Sequence, residues 1–383
     1  MAARLLAYEV ADLCLGKPPL RSISSSATVA AALAAVKSSD DNLVGVWICD
    51  HSAKRNLECV CVGKVCMVDI ICYLCREDNL SSPALALKAP VSVLLSSKGL
   101  VRHVKSSSSL LEAIDLILQG AQNLVVPINT NNQKRKHLQK TSICPTKHNG
   151  QQQFCWLTQE DVIRFLLNSI ALFSPTAALS VDTLGIITAD FLSVEYHSPA
   201  LSAVGHISRA LVDQTSVAVV DGDKTLIGEI SLFTLACCDE STAAAVATLS
   251  AGDLMAYIDC GGPPEEIARV VEARLRERGL DGVLEELGSY GGDVSNSSTD
   301  EDEEFVLWRS GRSHRPSSYS ARMVRRAEAI VCHEGSSLVA VMIQAIAHRV
   351  SYVWVIEDDC SVVGIVTFAN MLGVFRGCLK SMI

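Results

Sequence analysis

Residues 363–372 read VGIVTFANML, and this short stretch decides the fold. The residues up to Val366 are apolar and mostly β-branched, which is typical of a buried strand. Thr367 then places a hydroxyl before an apolar run, and Asn370 follows three residues later, which is the pattern of a helix N-terminus. The same order of strand, polar step and helix occurs at residues 61–71, 154–163 and 226–235. An internal repeat therefore organises the chain.

Each of these stretches is preceded by the same predicted elements. A serine opens an apolar-periodic run, which predicts a capped amphipathic helix; the four serines are Ser26, Ser109, Ser198 and Ser337. A β-branched run follows and predicts a strand; the four runs are residues 44–48, 124–128, 217–220 and 353–356. The predicted unit is therefore strand, helix, strand, turn, strand, helix, occurring four times along the sequence.

The composition excludes several classes of protein. With 49% hydrophobic and 20% charged residues among 383, the chain is too apolar to be largely disordered and long enough for two domains. The net charge of −9 argues against a general nucleic-acid binder, which needs cations to displace counterions. The 15 cysteines are dispersed and odd in number, so we expect free thiols. No uncharged apolar stretch is long enough to span a bilayer, so we expect no membrane association.

The repeat resembles the CBS domain, a family named for cystathionine β-synthase. The pattern that carries the resemblance is a glycine, two hydrophobic residues, a serine or threonine, and an aspartate or asparagine three residues later. Four such repeats without an attached enzyme domain look like plant proteins with two CBS pairs and, more distantly, like the gamma subunit of AMP-activated protein kinase. The resemblance implies an α/β fold in which four β-α-β-β-α repeats form two paired modules.

The order of the motifs predicts the domain boundaries. We expect the repeats at residues 12–78, 83–172, 182–258 and 318–376, with a loop inserted at 129–150 in the second. We expect residues 259–317 to form a helical, acidic and partly disordered insertion. Pro264 and two glutamates should start a helix there, and Gly279 should end it. One apolar face of that helix is expected to dock on a module or a partner; it contains Ile267, Val270, Val271 and Leu275.

The negative charge of the chain belongs to this insertion. Residues 259–304 hold 14 acidic residues and four arginines, so the remainder is close to neutral. Ser297, Ser298 and Thr299 each have an acid three residues downstream, a pattern that acidophilic kinases favour. We therefore predict a phosphorylation-regulated loop, with a solvated linker as the alternative.

In CBS domains, the hydroxyl and the acid of the motif line a cleft for adenosine-containing ligands. A helix N-terminus suits a phosphate, and a carboxylate can accept hydrogen bonds from ribose hydroxyls. Carried over, the resemblance implies ligand-binding roles for Thr158, Asp161, Thr367, Asn370, Asp69 and Ser231. Repeats two and four keep the hydroxyl and the acid or amide, although Cys155 replaces the glycine in repeat two. Cys66 replaces the hydroxyl in repeat one, and Thr234 replaces the acid in repeat three. The alternative is that these residues only cap helices.

Phosphate-reading members of the family place a cationic residue just before the middle strand of the repeat. This chain has the pairs Asp41-Asn42, Gln122-Asn123, Thr215-Ser216 and Ser351-Tyr352 at those positions, and none is cationic. A multiply charged phosphate would therefore lack strong partners. We expect weak or absent binding of ADP and ATP, with AMP or another adenosyl ligand favoured and no obligatory cofactor.

The sequence shows no catalytic constellation. We expect a non-catalytic regulatory protein that responds to an AMP-like ligand and modulates a protein partner, such as a kinase or a metabolic enzyme; a homodimer is a further expectation. The alternative is a constitutive interaction scaffold whose pockets bind no nucleotide. The least favoured hypothesis is a redox enzyme that uses Cys72 and Cys75. Zinc binding by these residues with Cys59 and Cys61 is also disfavoured, because their spacing suits small core residues.

The expected location is the cytoplasm, with the nucleus as the alternative. Residues 1–39 are rich in alanine and serine and contain Arg4, Lys17 and Arg21, which resembles a transit peptide. However, Glu9 and Asp12 are unfavourable in such a peptide, and the segment supplies the opening helix of the first repeat. Plastid targeting is therefore disfavoured.

Overall fold

The computed structural model describes residues 7–39, 42–49, 59–95, 101–128, 153–259, 263–289 and 328–381. Within them lie four three-stranded sheets of one topology, in which the first strand pairs parallel with the second and the second pairs antiparallel with the third. In chain order the strands are β1 Ser22–Ser24, β2 Leu43–Cys49, β3 Cys59–Cys66, β4 Val101–His103, β5 Asn123–Ile128, β6 Gln153–Thr158, β7 Ser193–Glu195, β8 Val217–Val220, β9 Leu226–Ile230, β10 Val331–Cys332, β11 Tyr352–Ile356 and β12 Val362–Thr367. The repeating strand pattern predicted from the sequence is confirmed.

A helix joins the two parallel strands of each sheet, and a second helix follows the third strand. In chain order the helices are α1 Val10–Leu13, α2 Val29–Lys37, α3 Met67–Leu74, α4 Glu77–Leu80, α5 Pro83–Lys88, α6 Leu110–Leu118, α7 Gln159–Asn168, α8 Ser174–Ala177, α9 Val204–Asp213, α10 Leu232–Cys237, α11 Thr242–Thr248, α12 Ala251–Tyr257, α13 Glu265–Glu277, α14 Val283–Ser289, α15 Leu338–His348 and α16 Phe368–Ser381. Every sheet thus carries the predicted β-α-β-β-α unit; the predicted residue bounds of the repeats stay a prediction.

Two of the four predicted helix caps are confirmed. Ser109 and Ser337 accept hydrogen bonds from backbone amides in the first turns of α6 and α15. The prediction that Ser26 caps α2 was wrong, because the Thr28 hydroxyl is the cap and accepts a hydrogen bond from the amide of Ala31 at 3.2 Å. The prediction of Ser198 was also wrong, because a short 3₁₀ turn at Ala200–Ala203 separates that serine from α9.

The sheets pack in pairs. Between the sheets of repeats one and two lies a small hydrophobic cluster formed by Leu20, Trp47, Cys61, Val101, Val125 and Trp156. Between the sheets of repeats three and four, the buried carboxylate of Glu229 on β9 accepts hydrogen bonds from Tyr352 at 2.9 Å and Trp354 at 2.8 Å, both on β11. The fold therefore contains the two paired modules that the resemblance implies.

The two modules meet through their helices. Helices α3 of repeat one and α10 of repeat three pack together in one hydrophobic core, and α6 of repeat two and α16 of repeat four pack together in a second. Two ion pairs cross the junction: Lys37 Nζ lies 2.6 Å from Glu240 Oε1, and Arg376 Nε lies 2.7 Å from Asp115 Oδ1. Repeat one therefore contacts repeat three, and repeat two contacts repeat four.

The predicted helix of the insertion is present. It begins directly after Pro264, and Gly279 beyond its end has a φ of +68°, a conformation that glycine adopts readily. Val271 and Leu275 are buried as predicted. The prediction that Val270 belongs to the docked face was wrong, since 38% of this residue is exposed. The buried face of the helix is instead centred on the side that carries Val271.

The insertion connects elements that follow repeats one and three. Arg274 and Arg278 donate hydrogen bonds to carbonyls at the C-terminal end of α11, which suits a cation at a helix C-terminus. Glu286 on α14 accepts a hydrogen bond from the amide of Ala84, in the first turn of α5, at 2.9 Å.

Across the residues that the structure describes, no helix is both long and apolar enough to cross a membrane.

Candidate functional site

Thr158 and Asp161 form a closed hydrogen-bonded pair at the start of α7. The amide and the hydroxyl of Thr158 each donate to Asp161 Oδ2 at 2.7 Å, and the Asp161 amide donates to the Thr158 hydroxyl at 3.3 Å. Lys17, from the segment before β1, forms an ion pair with the same carboxylate and donates to the carbonyl of Trp156 at 2.9 Å. Other parts of the chain therefore already bond to the motif of repeat two.

Repeat four has the same arrangement with an amide in place of the acid. The amide of Thr367 donates to Asn370 Oδ1 at 2.9 Å and its hydroxyl donates at 2.6 Å, while Asn370 Nδ2 donates to the Thr188 hydroxyl at 3.3 Å. A Cβ on Gly364 would lie 2.6 Å from the Thr188 carbonyl oxygen, so only a glycine allows this approach. The segment before repeat three thus lies directly on the motif of repeat four.

The two repeats that depart from the pattern differ from each other. In repeat three, Ser231 and Thr234 are 2% and 3% exposed, so neither side chain is presented at the surface. In repeat one, the Asp69 carboxylate accepts a hydrogen bond from the Cys66 amide at 2.8 Å. Burial raises the pKa of Asp69, and the hydrogen bond from Cys66 opposes that rise.

A cleft of about 270 Å³ opens beside Asp69. Its lining comes from three repeats: Lys64, Asp69 and Arg76 belong to repeat one, Gln122 to repeat two and Leu211 to repeat three. Apolar side chains between β3 and the 3₁₀ turn at Val91–Leu94 complete one wall. The volume lies near the lower end of the roughly 300–1,000 Å³ that is typical of ligand pockets, so the cleft suits a small ligand.

Lys64 lines the cleft and contacts the second repeat. Its Nζ donates a hydrogen bond to Asn123 Oδ1 at 2.6 Å, which ties β3 of repeat one to the start of β5. Burial lowers the pKa of Lys64, while the nearby Cys66 and Asp69 oppose that change. Lys64 thus brings a basic group to the cleft, and a protonated lysine there can pair with an anion.

Gln122 connects the cleft to repeat three. Only 2% of this residue is exposed, and its Nε2 donates to the carbonyls of Leu211, at 2.7 Å, and Val212, both in the last turn of α9. Because both neighbours are acceptors, the amide nitrogen must face them. The Oε1 atom is buried, with no hydrogen-bond partner among the described residues. A residue that lines the cleft therefore has an occluded, unsatisfied acceptor.

No family model matches the chain as a whole or in part. It is 52% identical to the CBS domain-containing protein CBSX5 of Arabidopsis thaliana over the full length of both chains. It is 28% identical to the CBS domain-containing protein CBSX6 of the same plant, with 97% of this chain and 94% of the relative covered. The chain belongs to the CBS domain-containing proteins.

Among solved structures, this CBS protein is similar to protein MJ1225 from Methanocaldococcus jannaschii, proposed as an archaeal homologue of g-AMPK. The TM-score is 0.53 at 14% sequence identity, and the match covers 96% of this chain and 100% of the other. At this identity the likeness concerns the fold alone. It agrees with four CBS repeats arranged as two modules.

The positions before the middle strands of the CBS repeats bond within the protein. Gln122 caps α9 and Asn123 accepts from Lys64. Ser216 donates to the Ile230 carbonyl at 2.8 Å, Ser351 donates to the Gln214 carbonyl at 2.5 Å, and Tyr352 donates to Glu229. Except for Ser216, which bonds within repeat three, these side chains connect one repeat to another. The basic residues of the cleft, Lys64 and Arg76, stand at other positions.

Lys64 and Arg76 are the site residues that the sequence patterns missed. Lys64 stands two residues before the helix cap of repeat one, where repeat three has Glu229 and repeat four has Ile365. The signal available in the sequence was a lysine at a position whose counterpart in repeat three, Glu229, lies in the interface between two sheets. Arg76, after α3, had no signal in the sequence, because its place at the rim depends on how repeat one packs on repeat three.

Two further predictions concern chemistry elsewhere in the chain. In the part of the chain that the structure describes, no group of three or more histidine, cysteine, aspartate or glutamate residues is arranged to hold a metal ion. Cys59, Cys61, Cys72 and Cys75 are free cysteines there. The predicted phosphorylation sites Ser297, Ser298 and Thr299 lie outside the described residues.

Proposed function

We propose that this protein is a non-catalytic regulator that binds an adenosine-containing, AMP-like ligand in its CBS clefts and thereby modulates a partner protein. The observation that carries the proposal is the cleft beside Asp69, which combines an acid, cationic side chains and apolar surface. Pockets of this kind, with apolar walls and a few polar groups, are the usual sites of small ligands.

The lining of the cleft suits each part of such a ligand. Val62, Leu95 and Leu211 offer apolar surface for a purine base. The Asp69 carboxylate can accept hydrogen bonds from ribose hydroxyls, as the family resemblance implies. Lys64 and Arg76 can attract a single phosphate group. The small volume favours a monophosphate over a triphosphate, in line with the expectation of weak ATP binding.

Regulation follows from the position of the clefts between repeats. A ligand that contacts two repeats binds one packing of those repeats better than another, and so shifts the population towards it. A partner that contacts both modules would respond to that shift. The partner that we propose is a protein, such as a kinase or a metabolic enzyme, and a second copy of the chain is a further candidate.

A constitutive scaffold is the second candidate function, and two contacts favour it. Lys17 pairs with the carboxylate of Asp161, and Asn370 donates to Thr188. Both motifs that match the CBS pattern are thus bonded to other segments of the chain. If these contacts persist in solution, repeats two and four serve to hold the fold together.

Calorimetry on the full chain separates the two candidates. AMP, adenosine, ATP and S-adenosylmethionine would each be titrated into the protein and into the Asp69→Ala, Asp161→Ala and Asn370→Ala variants. The proposal expects binding of AMP, weakened about tenfold or more by Asp69→Ala, since a hydrogen bond to a charged group contributes about 1.5–3 kcal/mol. Asp223→Ala, in the exposed turn after β8, is the matched control and should leave binding unchanged.

Each outcome of the titrations is informative. Silence across all four ligands would favour the scaffold. Weakening by Asp161→Ala or Asn370→Ala, with no effect of Asp69→Ala, would move the site to repeats two and four. ATP binding in the micromolar range or tighter would overturn the expectation that multiply charged phosphates bind weakly.

A further inference from the structure

The segment before the first strand of repeat one lies on repeat two. At one end of it, the amide of Val10 donates a hydrogen bond to the carbonyl of Ser108 at 2.8 Å. At the other end, the amide of Leu20 donates to the carbonyl of Phe154, on β6, at 2.8 Å. Residues 10–20 therefore run across repeat two before the chain enters repeat one.

This segment brings one cysteine to another in the core. Cys14 is 6% exposed and Cys155, on β6, is fully buried, and both belong to the hydrophobic core that contains α6 and α7. A side-chain hydrogen bond joins their thiols. By contrast, the thiol of Cys75 donates to the backbone carbonyl of Cys72. The sulfur atoms of Cys14 and Cys155 therefore lie against each other, as the formation of a disulfide requires.

Module two has a close approach of two segments at the equivalent position. Gly364 of β12 and Cys155 of β6 each stand three residues before the threonine of the motif. A Cβ on Gly364 would lie 2.6 Å from the carbonyl oxygen of Thr188, in the segment before repeat three. The segments before repeats one and three thus both cross the third strand of the following repeat. In module one, the pair of cysteines occupies this crossing point.

The two thiols differ in their readiness to ionise. The hydrogen bond from Cys14 lowers the pKa of Cys155, and the ammonium of Lys17 lowers it further, whereas burial and the Asp161 carboxylate oppose this change. The same hydrogen bond, together with burial, raises the pKa of Cys14. Because the thiolate is the nucleophile in thiol oxidation, Cys155 is the sulfur that reacts first.

We propose that Cys14 and Cys155 are a redox pair, which a peroxide oxidises to a disulfide, and that this bond fixes residues 10–20 on β6. Lys17 follows Cys14 by three residues and pairs with the carboxylate of Asp161. The disulfide therefore also keeps Lys17 on the motif of repeat two, whereas in the reduced protein the segment is held by non-covalent contacts alone. This switch does not depend on a ligand in any cleft.

The reaction has two steps. The thiolate of Cys155 attacks one oxygen of hydrogen peroxide, the O–O bond breaks, and hydroxide leaves as water with the proton that Cys155 released. The sulfur of Cys14 then attacks the sulfenic acid: the S–S bond forms, the S–O bond breaks, and the proton of Cys14 leaves in a second water. The two sulfur atoms together lose two electrons, which the peroxide gains.

The short helix over the pair gives the oxidant access. Helix α1 is a single turn of four residues, Val10–Leu13. Short elements near a chain terminus open locally at a small cost in free energy. Hydrogen peroxide is small and uncharged, so brief opening of residues 10–20 admits it to the pair.

Mass spectrometry of the full-length protein tests the bond. Trypsin places Cys14 in residues 5–21 and Cys155 in residues 148–164, each without a second cysteine, so the disulfide gives one unique cross-linked peptide. After reduction, removal of the reductant and treatment with hydrogen peroxide, we expect this peptide in wild type and not in Cys14→Ser. Cys332→Ser, which alters a buried cysteine of repeat four, is the matched control and should keep the peptide.

Two results of the mass spectrometry would overturn the proposal. One is the absence of the cross-linked peptide in samples where the exposed Cys360 is oxidised, which shows that the peroxide has acted. The other is formation of the peptide only in urea, because pairing would then be a property of the unfolded chain.

Hydrogen exchange on the same samples tests whether the bond fixes the segment. Amides of residues 10–20 should exchange several-fold more slowly in oxidised than in reduced wild type, and dithiothreitol should restore the faster rate. The comparison uses one chain in two redox states, so it does not require a variant to fold. Peroxide should leave this exchange unchanged in Cys14→Ser. Equal exchange in cross-linked and reduced wild type would overturn the proposed switch.

Discussion

Lys64 and Glu229 stand at the same position of repeats one and three, two residues before the helix cap, and one is a basic residue and the other an acidic one. Lys64 donates to Asn123 Oδ1 at 2.6 Å, and Glu229 accepts from the Tyr352 hydroxyl at 2.9 Å. Asn123 and Tyr352 are in turn equivalent, since each begins the middle strand of the partner repeat. The two modules therefore use one geometric contact with reversed polarity: a lysine donates in module one, and a glutamate accepts in module two.

Replacement of Glu229 by alanine should destabilise module two. The Tyr352 hydroxyl and the Trp354 indole would lose a buried acceptor, at a cost of about 1–3 kcal/mol each. Glu229→Gln keeps one carbonyl oxygen and should cost less. Urea unfolding followed by tryptophan fluorescence measures both variants, and equal midpoints for Glu229→Ala and wild type would contradict the structural role.

Lys37→Met should destabilise the contact between repeats one and three in a pH-dependent manner. Glu240 is 2% exposed and pairs with Lys37, and burial raises the pKa of Glu240 while Lys37 lowers it. Removal of one partner of a buried ion pair costs about 3–5 kcal/mol.

The sign of the pH effect follows from the direction of the shift. A carboxyl group whose pKa is raised by folding binds its proton more tightly in the folded state, so stability falls as the pH rises through that raised pKa. The loss in Lys37→Met should therefore be smallest at acidic pH and grow towards neutrality. Glu240→Gln in the Lys37→Met background should abolish this dependence, and urea midpoints between pH 4 and 8 would show whether it does.

Gly364→Ala should separate the segment before repeat three from the motif of repeat four. The new Cβ would lie 2.6 Å from the Thr188 carbonyl and 2.8 Å from Ile187, so backbone must move. Overpacking of this kind costs about 1–3 kcal/mol. Gly373→Ala, in α16, meets no atom within 4 Å and should stabilise the protein by up to about 1 kcal/mol. Thermal melting of the pair would show opposite shifts; a stable Gly364→Ala would refute the contact.

Cysteine reactivity should follow burial. Burial raises the pKa of Cys72 to about 12 and that of Cys75 to about 11, whereas Cys360 is exposed. Because the thiolate is the reactive form, iodoacetamide at pH 8 should modify Cys360 first and leave Cys72 and Cys75 largely unmodified. Mass spectrometry of tryptic peptides measures the order. Rapid modification of Cys72 or Cys75 would revive the redox hypothesis.

Several features could be predicted because their causes are local. The strand at 353–356, the cap at Ser337 and the helix that begins after Pro264 each depend on residues within a few positions in the chain. Ser198 is not a cap, and the cause is also local: a 3₁₀ turn follows Pro199 before the helix begins. The prediction that Val270 is buried was wrong because the sequence shows only roughly which side of a helix is apolar. The surface against which the helix packs decides which residues are buried.

The sequence by itself determined the α/β repeat, its four copies and the caps at Ser109 and Ser337, because periodicity and capping are properties of neighbouring residues. Only the tertiary structure decided which motif lies beside an open cleft. Lys17 reaches Asp161 across 144 positions, and Thr188 reaches Asn370 across 182. Lys64, Arg76 and Gln122 come together at repeat one only because both modules pack there. Contacts at such separations depend on the packing of whole sheets and helices, which no local pattern encodes.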